Sequence, residues 1–109
     1  GSDNIIKLSL VQSYLKTNKI SNINKSINIL ENLIYYNPKW SYLWRLLAKV
    51  SGKINKKGIS FIALAEESMI KKNFIKAKKY VDLANKYPTI PNSYRLRGKD
   101  ILNRVKKNK

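Results

Sequence analysis

The sequence predicts an all-α domain, a right-handed solenoid of about six short antiparallel helices. Three observations carry this. Apolar residues recur near every 3.6 positions through almost the whole chain, and strand-type alternation is scarce. Trp44, Leu47, Ala48 and Ser51 recur in form as Phe61, Leu64, Ala65 and Ser68, and Ala77, Val81 and Ala84 then follow. Small residues let two helix backbones approach, while a bulky one fills the space between them. Finally, Leu10 and Tyr14 are echoed 34 positions later by Trp44 and Ala48.

Each helix has its own signals. The first, over about 4–17, carries Ile6, Leu10 and Tyr14 with neighbouring Leu8, Val11 and Leu15. The second, over about 22–36, sets Ile23, Ile27, Leu30, Leu33 and Ile34 on one stripe and stops at Asn37-Pro38, because a residue before proline avoids the helical region. The third, over about 40–52, takes Gly52 as its C-cap. A polar loop from Lys53 to Lys57 leads to the fourth, over about 58–71. Asn73 then caps a fifth, over about 74–86, which ends before Pro88. Pro91 suits the first turn of a sixth, over about 91–106. Residues 1–3 read as a tag remnant, Gly1-Ser2, with a frayed start, and 4–107 as one domain.

The period of 34, with Pro38 where a repeat ends, makes the array tetratricopeptide-like. The next step is irregular. Trp44 to Phe61 is 17 residues, half a repeat, so the fourth helix reads as the end of one hairpin and the start of the next. The last helix, with Tyr94, Gly98, Ile101 and Val105 inside and Arg95, Lys99, Arg104, Lys106 and Lys107 outside, suits a capping helix.

Composition narrows the function. The 109 residues contain no Cys and no His, which removes thiolate sites, the commonest general base and the commonest zinc ligand. Glu66 and Glu67 are adjacent, so they point about 100° apart and form no carboxylate dyad. Pairs at i+4 (Glu67 with Lys71, Asp82 with Lys86, Asp100 with Arg104) account for the acids instead. No catalytic or metal-binding residue and no cofactor is expected in this chain. Its longest run without a polar side chain, Phe61 to Ala65, is far short of the roughly 20 residues of a membrane span.

Net charge is +17, from 23 Lys and Arg against six acids. Such a field attracts nucleic acid, anionic lipid or acidic protein surface. An A+T-rich gene also raises Lys, so a solvated basic face stands as the alternative. Two groups of cations are candidates. On the third helix Tyr42, Arg45, Lys49 and Lys53, with Leu46 beside them, lie opposite the core face and form a partner-binding groove with the first helix. A monomeric module would there hold an acidic or extended polypeptide. Around the fifth helix Lys71, Lys72, Lys76 and Lys79 offer anion contacts, nonspecific because lysine far outnumbers arginine. Trp44 is expected in the core, with Trp40 partly exposed.

From Trp44 onward the succession Trp44-Arg45-Leu46-Leu47-Ala48, Ala63-Leu64-Ala65-Glu66-Glu67, Ala77 to Ala84 and Arg95-Leu96-Arg97-Gly98-Lys99-Asp100-Ile101 resembles the C-terminal tail of bacterial HExxH zinc metalloproteases of the BepA/YfgC type. The resemblance implies a periplasmic protein of outer-membrane quality control, in which this segment docks a partner or client and zinc belongs to a separate protease domain. Without it, a cytoplasmic location is expected. The chain has no HExxH, so no zinc site carries over.

Overall fold

A computed structural model describes residues 2–108. Among them the chain forms six helices and no strand: α1 (Ser2–Thr17), α2 (Ile20–Tyr36), α3 (Ser41–Lys53), α4 (Lys57–Ile70), α5 (Phe74–Ala84) and α6 (Asn92–Lys107). Helicity starts at Ser2, before the expected start at 4, and the tag remnant expected at Gly1 lies outside the described residues.

Local chemistry sets the ends. The Asn37 backbone N–H closes α2 on the carbonyls of Leu33 and Ile34. Gly52 is not the cap of α3. It stays inside the helix, and Asn55 takes the left-handed conformation (φ 61°) after the C-cap Ile54. Asparagine visits that region readily, so no glycine is needed. Asn73 caps α5 as expected, its Oδ1 accepting from the Lys76 N–H at 3.2 Å.

Each helix packs on the next, and α6 packs on α4 as well as α5. The central helix α4 is therefore buried on several sides, at Gly58, Ile59, Ile62, Ala63, Ala65, Glu66, Glu67 and Ser68. Its neighbours are α3, α5 and α6. The small residues work as expected. Ala48, Ala63 and Ala65 are buried, and Ser60 Oγ on α4 donates to the Ala48 carbonyl on α3 at 2.8 Å. Gly58 admits Ile90 from the 85–91 link, since a Cβ there would stand 3.2 Å from the isoleucine.

Two expectations change. On α1 the buried residue is Val11, with Leu8 and Leu15 half-buried against the core, while Ile6 and Leu10 face solvent at 64% and 40% exposure. This helix is apolar on both sides, so periodicity alone does not choose its inner face. Leu46 is buried rather than flanking an open groove. The molecule measures 40 × 31 × 19 Å. Its last helix also reaches the second, through a bond from Tyr94 to Glu31 across 63 positions of sequence.

Candidate functional site: a guanidinium-lined cleft

The bond from Tyr94 stands at one end of a cleft built on Trp44. Pro38 ends α2 and leaves its carbonyl free of the helix ladder. The Trp44 indole N–H donates to that carbonyl at 2.9 Å, which fixes the ring while its body fills the core. One ring face receives Arg97 from α6, with the guanidinium carbon 4.8 Å from the ring centroid. Cation–π attraction at this distance orients the arginine.

Glu66 on α4 holds the second contact. Arg97 Nη1 donates to Glu66 Oε2 at 2.7 Å, and Arg104 Nη2 donates to Oε1 at 3.3 Å. The glutamate side chain is only 10% exposed, while the two arginines remain 43% and 45% exposed. A buried carboxylate thus anchors two guanidinium groups that stay half-exposed. Arg104 Nε also meets Asp100 at 2.9 Å. Pro38, Lys39, Met69, Ile70 and Lys72 complete a cleft of about 580 Å³. A smaller recess of about 160 Å³ adjoins it through Trp44 and Arg97 and is lined by Glu31, Ile34, Leu47, Ser93 and Tyr94. Chemically the arrangement suits anions: planar donors, two flanking lysines and an aromatic face.

Tyr94 closes the recess. Its phenol donates to Glu31 Oε2 at 2.6 Å. Burial, and then the bond to Glu31 and its charge, push the phenol pKa up, against a smaller opposing effect of Arg97. The folded pKa thus lies above the unfolded value of about 10. Stability from this group is complete below about pH 10 and falls as pH rises further, where only the unfolded chain releases the proton. Tyr94→Phe should therefore cost about 1–3 kcal/mol at neutral pH, by loss of a bond to a charged acceptor. It should also flatten the alkaline decline. Urea unfolding of both proteins at about pH 9 and about pH 11 measures this, and equal declines would contradict it.

Of the residues singled out in the sequence, Lys72 borders this cleft and the others fall elsewhere. Tyr42, Arg45, Lys49 and Lys53 do share one ridge of α3, but three of them turn to intramolecular partners. Tyr42 Oη accepts from Gln12 Nε2 at 3.1 Å, a bond that spans α1 and α3. Arg45 Nε donates to Glu67 at 2.7 Å, and Lys53 Nζ donates to Asn18 Oδ1 at 3.2 Å. Lys49 is exposed. The basic group around α5 divides. Lys71 and Lys72 border one cavity together with Lys78, Lys79 lines a separate groove, and Lys76 lies in neither. Lys71 pairs with Glu67 at 3.4 Å, as its spacing predicts. Asp82 pairs with Lys78 at 2.9 Å instead of Lys86, because α5 ends at Ala84 and Lys86 leaves the i+4 position.

Sequence reasoning missed Arg97, Glu66 and Lys39 as members of one site. The one available signal was Arg97 and Arg104, which stand two turns apart on the same side of α6. Among the described residues, no group of three His, Cys, Asp or Glu is placed to hold a metal ion, and no helix is long and apolar enough to cross a membrane. No family model, curated protein or solved structure matches the chain.

Proposed function

We propose that this domain is a non-catalytic polypeptide-binding module that takes an acidic segment in the Trp44–Arg97 cleft. The observation that carries this reading is the pair of half-exposed arginines, Arg97 and Arg104, held on one buried carboxylate beside an indole face. Their orientation is settled before a ligand arrives, so little side-chain entropy is lost on binding. The net charge of +17 steers acidic partners toward any such site. In this reading the six helices are a short tetratricopeptide-like array, wound tightly enough that its last helix meets its second.

The test is titration of a fluorescent glutamate-rich peptide into the folded domain. Arg97→Glu and Arg104→Glu should each weaken binding about 10- to 100-fold, the worth of one or two charge-assisted hydrogen bonds. The double change Arg45→Glu with Lys49→Glu examines the ridge that the repeat pattern favours. Loss of binding there, with the cleft variants unaffected, would move the site to α3. Duplex DNA at low ionic strength is the competing ligand. Binding of DNA with a steep salt dependence, and none of the peptide, would make the domain a charge-driven nucleic-acid binder.

The setting we propose follows the sequence resemblance: a partner- or client-docking tail of a periplasmic zinc metalloprotease, with zinc in the protease domain. Reading the gene upstream of residue 3 checks it. An HExxH and a signal sequence are expected there, and a frame without them would remove this setting while leaving the binding proposal intact.

A further inference from the structure

The turn between α4 and α5 carries a lysine where a glycine is the usual choice. Two helices end in the same motif. After α3, the Lys56 N–H bonds to the Ser51 carbonyl at 2.9 Å and the Asn55 N–H to Gly52 at 3.2 Å. After α4, the Asn73 N–H bonds to Ser68 at 2.8 Å and the Lys72 N–H to Met69 at 3.0 Å. Both are Schellman closures, which place one residue in the left-handed region. Among the described residues, Asn18, Asn55 and Lys72 are the non-glycine residues with positive φ. Asparagine is tolerated there, whereas lysine gains nothing locally to offset its Cβ strain. Lys72 stands at φ 60° and has no carboxylate partner among the described residues.

Its position gives the strain a use. Lys72 borders the guanidinium cleft on one side. On the other it borders a cavity of about 730 Å³ between α5 and the end of α6. That cavity has an apolar floor of Phe74 and Val105 and a rim of Lys71, Lys72, Ile75 and Lys78. Ile75 is 86% exposed within this basic surround. A concave apolar floor ringed by cations complements a bulky side chain flanked by carboxylates. A flat anionic membrane would touch Ile75 but leave the floor unfilled.

We propose that this cavity is an anchor pocket for the same acidic polypeptide, whose bulky apolar side chain seats on Phe74 and Val105 while its backbone crosses Lys72 into the arginine cleft. The inference rests on the peptide-binding reading and adds an apolar anchor at one end. It also makes Lys72 a residue retained for binding at the expense of its turn.

The experiment compares two glutamate- and serine-rich peptides of about twelve residues, roughly 40 Å when extended, identical except at one position. One carries a Phe near its end and the other a Ser in that place. The Phe peptide should bind at least about tenfold more tightly, the effect of burying one aromatic side chain. Lys72→Gly should weaken the Phe peptide about 3- to 10-fold while the urea midpoint stays level or rises, because glycine relieves the turn. Equal binding of the two peptides, or unchanged binding by Lys72→Gly, overturns the anchor pocket. If binding still depends on Arg97 in that case, the cleft reading survives alone. If neither peptide binds, both fall. Vesicles of equal parts phosphatidylserine and phosphatidylcholine form a last arm. Capture by vesicles that Ile75→Glu abolishes, without peptide binding, assigns this face to a membrane and overturns the proposal.

Discussion

Gly98→Leu should destabilise the domain by about 3 kcal/mol and empty the cleft of its arginines. Gly98 lies on the buried stripe of α6 with Tyr94, Ile101 and Val105. A Cβ there would stand 3.1 Å from Ile62 Cδ1 on α4 and 3.3 Å from Val81 Cγ1 on α5. A single methyl needs only a small retreat of the flexible Ile62 end. Gly98→Ala should therefore stay within about 1 kcal/mol of the parent, since alanine's better helix propensity offsets the contact. Leucine adds three more carbons between helices that have no room for them, so α6 must lift. Arg97 and Arg104 travel with it, and their contacts to Trp44 and Glu66 break. Urea unfolding reads the stability, and the glutamate-peptide titration reads the cleft. A leucine variant as stable as the parent would show that α6 does not pack this closely.

Leu47→Ala should cost about 3–4 kcal/mol, equivalent to a fall in melting temperature of about 15 °C for a chain of this size. Leu47 is fully buried on α3 and borders the recess behind Trp44. Truncation removes its transfer free energy and enlarges a void that rigid neighbours only partly close. The neighbours here are constrained. Trp44 is pinned to the Pro38 carbonyl, and Tyr94 is bonded to Glu31. Collapse should be poor, which keeps the expected cost away from the low end of the usual range for such a change. Thermal unfolding monitored by circular dichroism checks it, and a drop below about 5 °C would mean that the recess closes freely.

Most helix boundaries were legible because their causes are local. Asn37-Pro38, Asn73 and the 85–91 link act within a few residues of themselves, and the expected ends fall within a few positions of those observed. The buried stripes of α2, α5 and α6 were legible too, because each of these helices has one apolar side, whereas burial on α3 extends to Leu46. Where a helix is apolar on both sides the reading failed. On α1, Ile6 and Leu10 competed with Leu8, Val11 and Leu15, and only packing against α2 separated them.

The cleft was not legible for a different reason. Glu66 meets Arg97 across 31 positions and Tyr94 meets Glu31 across 63. No periodicity links such pairs. Arg104 read correctly as a partner of Asp100, which is local, but its second bond to Glu66 depends on how α6 crosses α4. The residue string alone was enough for an all-helical, strongly basic chain without Cys or His, and for where its helices begin and end, because 3.6-residue periodicity, capping and proline act at short range. Tertiary structure alone decided which face of α1 is wet, that α6 returns to α2, and that Trp44, Glu66, Arg97 and Arg104 share one cleft. Those outcomes depend on crossing geometry and close packing between distant segments, to which local sequence is blind.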